Sequence, residues 1–168
     1  YRESLSLTRE LGDKSSIAIT LHQLGNMAYS RGDLKEAERL YGESLTLNRE
    51  LGNKSGIAIT LHQLGMLAQY RGDLKEAERL YRESLSLTRE LGDKSSIAST
   101  LAQTGLLRER QERYAEAVAL LEQALQLFRE LGSPTSALVE RELARVREKL
   151  ARPREGGGSD RGARQPPA

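Results

Sequence analysis

The chain has 168 residues, 26 of them Lys or Arg and 24 Asp or Glu, with no cysteine and a net charge of +2. Without cysteine there is no disulfide framework and no thiolate metal site, and no apolar run reaches the roughly 18 residues that span a bilayer. The charge is uneven: eight basic and four acidic residues follow from Arg141 onward, leaving 18 basic and 20 acidic over 1–140, so the body lacks the basic clustering that nucleic acid recruits.

Residues 1–40 match residues 41–80 at 31 of 40 positions, and residues 81–100 match 1–20 at 19 of 20, a period of 40 without insertion. Such self-similarity marks a stack of one supersecondary unit. Residues 1–12 correspond to the end of a unit and read as a partial one, so the chain is expected to be a piece of a longer array. Unit 13–52 opens with a predicted helix over about 16–30, where Ile17, Leu21, Leu24 and Ala28 recur at helical spacing. Gly32 suits the left-handed stop, and Asp33 with Glu36 resembles a capping box for the second helix. That helix is predicted to run to about Leu51, with Leu34, Ala37, Leu40, Tyr41, Ser44, Leu45, Leu47 and Leu51 on a face broad enough for two neighbours. Gly52 closes it, and Ser55 is placed to cap the next helix.

Units 53–92 and 93–132 repeat the plan. In the third, Gln111-Glu112-Arg113 replaces Arg31-Gly32-Asp33, which reads as the repeat wearing out. Pro134 fits the start of a last helix, about 136–150 within a capping segment 134–151. Val139, Leu143, Val146 and Leu150 form its single apolar stripe and charges its outside. Residues 152–168 are Gly-, Arg- and Pro-rich and read as disordered. One helix pair cannot bury both its apolar faces, so the pairs must stack. The prediction is an all-α solenoid over 1–151 with a C-terminal capping helix, and no strand-length alternation argues otherwise.

The pattern Leu21-x-x-Leu24-Gly25-x-x-Ala28, then Ala37, Tyr41 and Ser44, returns as Leu61-x-x-Leu64-Gly65-x-x-Ala68, Ala77, Tyr81 and Ser84. A looser third copy is Leu101-x-x-Thr104-Gly105-x-x-Arg108, Ala117, Leu121 and Ala124. In this the chain resembles the tetratricopeptide repeat (TPR) family. Its units are longer than the common period of about 34 and lack the usual proline at the closing turn. They resemble the kinesin-light-chain-like subgroup and the arrays attached to bacterial signalling ATPases and transcription regulators.

The resemblance implies a right-handed superhelix of antiparallel helix pairs whose first helices line a concave groove for a protein or peptide. Carried over from Gly25, the groove positions are Ile19, His22, Gln23, Asn26, Tyr29 and Ser30, then Ile59, His62, Gln63, Met66, Gln69 and Tyr70, then Ser99, Gln103, Leu106, Glu109 and Arg110. The candidate partner-binding set is His22, Gln23, Asn26, Tyr29, His62, Gln63, Met66, Tyr70 and Gln103. Amides and imidazoles both donate and accept hydrogen bonds, and Tyr and Met add adaptable apolar contact. On this reading the main floor, His22, Gln23, Asn26, His62, Gln63, Met66 and Tyr70, is not needed for the core. The basic clamp by which some family members hold a carboxylate maps to His22, Asn26, Gln63, Ser99 and Gln103, and only Asn26 fits it.

Two histidines without cysteine do not make a metal site of about four ligands, and no catalytic constellation or cofactor motif is present. The expectation is a non-enzymatic binding scaffold without cofactor, set in the cytoplasm because the chain opens without a signal peptide. The alternative is an intramolecular sensor or assembly arm of a larger bacterial signalling ATPase or transcription regulator. Arg31-Gly32-Asp33 and Arg71-Gly72-Asp73 match an adhesion tripeptide, but helix-end chemistry accounts for both.

Overall fold

Aspartate or asparagine ahead of a helix accepts hydrogen bonds from the first free backbone amides, and this chain uses that device at five helix starts. Asp13, Asn53 and Asp93 accept from the amides of Ser16, Gly56 and Ser96. Asp33 and Asp73 accept from those of Glu36 and Glu76. The computed structural model describes residues 13–152, which form seven helices and no strand. They are α1 Lys14–Ser30, α2 Leu34–Glu50, α3 Lys54–Arg71, α4 Leu74–Leu91, α5 Lys94–Arg110, α6 Tyr114–Glu130 and α7 Thr135–Ala151. Asn53, not Ser55, caps α3, and the first helices begin two residues earlier than hydrophobic spacing alone suggests.

Each helix packs against its neighbour in the chain, giving the antiparallel pairs α1/α2, α3/α4 and α5/α6 with α7 laid against α6. Within a pair the closest approach is set by glycine. A Cβ on Gly25 would lie 2.6 Å from the Tyr41 ring, and one on Gly65 would lie 2.5 Å from the Tyr81 ring. Both tyrosines are fully buried. Across the pair Ser44 and Ser84 donate to the carbonyls of Ala18 and Ala58, each at 2.8 Å.

Burial also runs between pairs. Leu67 of α3 joins the cluster built by Leu21, Ala37 and Tyr41, and Leu107 of α5 joins Ala77 and Tyr81. The last cluster joins Leu101, Leu121 and Phe128 to Val139, Leu143 and Val146 of α7. This is the stacked burial a solenoid requires.

Several expectations need correction. Leu51 and Leu150 are 44% and 48% exposed and lie off the packing faces. The second helix of the first pair instead buries Asn48. The third unit is not degraded: α5 and α6 have the same length as α1 and α2. Its turn is made differently. Glu112 takes φ 59°, where the equivalent Gly32 and Gly72 have 77° and 85°, and Arg113 caps α6 without a side-chain hydrogen bond. Arg108, which breaks the small-residue pattern, reaches back to Glu78 of α4 in a two-pronged pair at 2.8 and 2.9 Å. That guanidinium holds the Glu78 carboxyl down at about 2. The partial unit 1–12 and the tail from 153 lie outside the described residues.

Candidate functional site

The first helices α1, α3 and α5 form one layer and the second helices α2, α4 and α6 the other. Short side chains bridge the first layer. His22 Nδ1 of α1 lies 3.5 Å from Thr60 Oγ1 of α3, and His62 Nδ1 lies 3.1 Å from Thr100 Oγ1 of α5. Helices α3 and α5 also touch directly. Across the second layer, Arg49 of α2 meets Glu83 of α4 at 3.1 Å.

The two layers differ in charge. No Lys, Arg, Asp or Glu occurs at 15–30, 55–70 or 95–107, whereas 35–50 alone holds seven. The outer layer is laced by exposed ion pairs, including Arg39–Glu36 at 2.8 Å, Arg79–Glu76 at 2.7 Å and Arg49–Glu83 at 3.1 Å. Away from the helix ends, where Arg110 is exposed and donates to the Gln69 carbonyl, the inner face is amide, imidazole, hydroxyl and hydrocarbon. This contrast was available in the sequence, but the grouping of residues by helix layer had to be known before it could be counted.

The candidate residues divide into two kinds. His22, Asn26, Tyr29, His62 and Met66 are partly structural. The His22 ring sits 5.5 Å from Tyr41 and the His62 ring 5.7 Å from Tyr81. Burial lowers the basicity of both histidines, that of His62 to about 4, so both are neutral near pH 7. Asn26 accepts the Tyr41 hydroxyl at 2.7 Å. Its repeat counterpart is Met66, and there Gln69 accepts the Tyr81 hydroxyl at 2.9 Å instead. Asn26 with Tyr29 has thus been exchanged for Met66 with Gln69, and in each pair one amide satisfies the buried phenol. Tyr29 packs on the Leu21–Tyr41 cluster and Met66 on Ala77, Tyr81 and Leu107. The expectation that the groove floor is not needed for the core therefore fails for His22, Asn26, His62 and Met66.

The others are not so tied. Gln23, Gln63 and Gln103 are half-buried and Tyr70 is 66% exposed. Ile19 and Ile59, at 56% and 41% exposure, stand beside them as uncovered apolar groups. Glu109, a groove position by analogy, is buried and holds Arg145 and Lys149 of α7 at 2.7 and 2.8 Å, so it belongs to the end of the stack.

Profiles described as tetratricopeptide repeat match residues 17–52 and residues 56–130. The chain belongs to the tetratricopeptide repeat family. No curated protein sequence matches it. Among solved structures, this TPR chain is similar to BtubC (BKLC) from P. vanneervenii, with a TM-score of 0.70 and 18% identity over 100% of this chain and 76% of that one. It is also similar to a putative kinesin light chain of nearly identical TPR-like repeats from Podosopora anserina, at 0.67 and 18% over 87% and 74%. A third neighbour is a Rap protein complexed with competence and sporulation factor, at 0.56 and 21% over 88% of this chain and 45% of that one. TPR repeats generally mediate protein–protein interaction, and the fold is typically a non-enzymatic scaffold. No helix among the described residues is long and apolar enough to cross a membrane.

Proposed function

We propose that this TPR array is a protein- or peptide-binding scaffold that holds an extended segment against the face made by α1, α3 and α5. The observation that carries this reading is the contrast between layers: an inner face bearing Gln23, Gln63, Gln103, Ile19, Ile59 and Tyr70, whose charged residues are confined to the helix ends, as at Arg110, opposite an outer face rich in ion pairs. Carboxamides on this face can pair with both the N–H and the C=O of a peptide backbone, while the exposed Ile and Tyr side chains supply area. The Rap neighbour complexed with its factor is consistent with a TPR fold used in this way.

The test is selection of binders from a random peptide library on the full chain, followed by affinity measurement on variants. Gln23→Ala with Gln63→Ala should weaken selected peptides several-fold, since each unpaired polar group at an interface costs about 1–3 kcal/mol. Arg82→Ala on the outer face, where the side chain is 73% exposed, should change nothing. Loss of binding with Arg82→Ala and not with the glutamine pair would place the site on the other layer.

A further inference from the structure

At the junction of the first two helix pairs the inner face is not flat. A cavity of about 270 Å³ opens between α1, α2 and α3, with Ile19 and Ile59 beside His22 and a wall of Asn48, Asn53 and Gly56. We propose that this cavity is an anchor site for one uncharged aliphatic or aromatic side chain of the bound segment; the proposal rests on the inner-face reading above and names the chemistry it selects.

The wall is built as a relay. Asn48 donates to the Ser44 carbonyl at 2.9 Å, Asn53 donates to Asn48 Oδ1 at 2.8 Å, and the Gly56 amide donates to Asn53 Oδ1 at 3.1 Å. Both carboxamides are thereby held in place. Gly56 is required, because a Cβ there would collide with the Asn48 carboxamide. At the next junction the same positions are Thr88, Asp93 and Ser96, with Ser99 in place of Ile59. There Ser96 Oγ binds the Asp93 carboxylate at 2.6 Å. The near-identical units therefore present two different surfaces: a neutral, hydrocarbon-rimmed hollow at the first junction and a hydroxyl- and carboxylate-bearing one at the second.

Size and charge choose the occupant. A dry cavity of about 150 Å³ accepts benzene, so this hollow has room for a Leu, Met or Phe side chain. No Lys, Arg, Asp or Glu lines it, and His22 is neutral because burial lowers its pKa. A charged side chain would lose its hydration there without meeting a counter-charge.

The probes are N-acetyl-leucinamide and N-acetyl-phenylalaninamide against N-acetyl-lysinamide and N-acetyl-glutamic acid amide, titrated into the full chain by NMR. The neutral pair should shift the Ile19 and Ile59 methyls and the Gly56 amide, saturating in the millimolar range, and the charged pair should not. Ile59→Ser, which places the residue found at Ser99, should weaken the neutral probes at least five-fold. Equal response to charged probes, no response, or shifts confined to other surfaces would overturn the anchor site, and these readings need no variant. Library-selected peptides separate the two levels of claim. Peptides weakened by Gln63→Ala with Gln103→Ala, which lie outside the cavity, but indifferent to Ile59→Ser would remove the anchor and leave the inner-face reading standing. Peptides indifferent to both would remove both.

Discussion

At the scale of single residues, the inner face is held together by polar groups that look like surface decoration in the sequence. His62 is the clearest. Its ring bridges α3 to Thr100 of α5 and lies against Tyr81, and burial depresses its pKa to about 4. An ordinary histidine titrates near 6.5, so between those values the unfolded chain binds a proton that the folded chain refuses. Stability from this source is complete above about pH 6.5 and is lost as pH falls toward 4. His22 acts in the same direction. Between about pH 7 and 5.5 the protein should lose about 1 kcal/mol through His62 alone, read as a lower urea midpoint. His62→Gln should flatten that slope. An unchanged slope would mean that the imidazole is not excluded from protonation by burial.

At the scale of elements, the turn between α5 and α6 shows what the other turns gain from Gly-Asp. Gly32 and Gly72 take positive φ without the cost of about 1–2 kcal/mol that a side chain meets there. Asp33 and Asp73 then cap the next helix. Glu112 adopts φ 59° with a side chain, and Arg113 offers no cap bond, although it does pair with Glu116 at 2.7 Å. Restoring the motif with Glu112→Gly and Arg113→Asp should stabilise the protein by about 1–2 kcal/mol, less the small contribution of the exposed Arg113–Glu116 pair. Thermal unfolding of the double variant checks this, and a lower melting temperature would show that the turn is set by contacts other than its own backbone. The wearing-out expected of this unit was a misreading of physics. Arg108 and Glu112 break the sequence pattern, yet Arg108 replaces lost apolar contact with a clasp on Glu78.

At the scale of the molecule, stability in a stack is shared between neighbours and little further. The far end is held by Val139, Leu143 and Val146 against α6 and by Glu109, 7% exposed at its side chain, between Arg145 and Lys149. Glu109→Gln removes the charge that both cations face, and should lower amide protection along α7 about ten-fold, the equivalent of about 1.4 kcal/mol, while α1 to α4 keep theirs. Uniform loss across all helices by hydrogen exchange would show that the described residues unfold as one cooperative block instead.

The sequence alone determined the class, the period and the helix pairing, because a 40-residue repeat of 3.6-periodic stripes has few ways to bury itself. It also set Gly25 and Gly65 in phase with Tyr41 and Tyr81, but that each glycine meets its tyrosine ring is shown only by the structure. Only the tertiary structure decided which polar residues are spare. His22 and Gln23 are adjacent and both polar, and nothing local says that the first meets Thr60 of the next pair while the second does not. The exchange of Asn26 for Gln69 as acceptor, and the relay from Ser44 through Asn48 and Asn53 to Gly56, likewise join residues through space across helices. Periodicity along one helix records which face is apolar, but a hydrogen bond between helices depends on the stacking offset of neighbouring pairs, and that offset is set by packing.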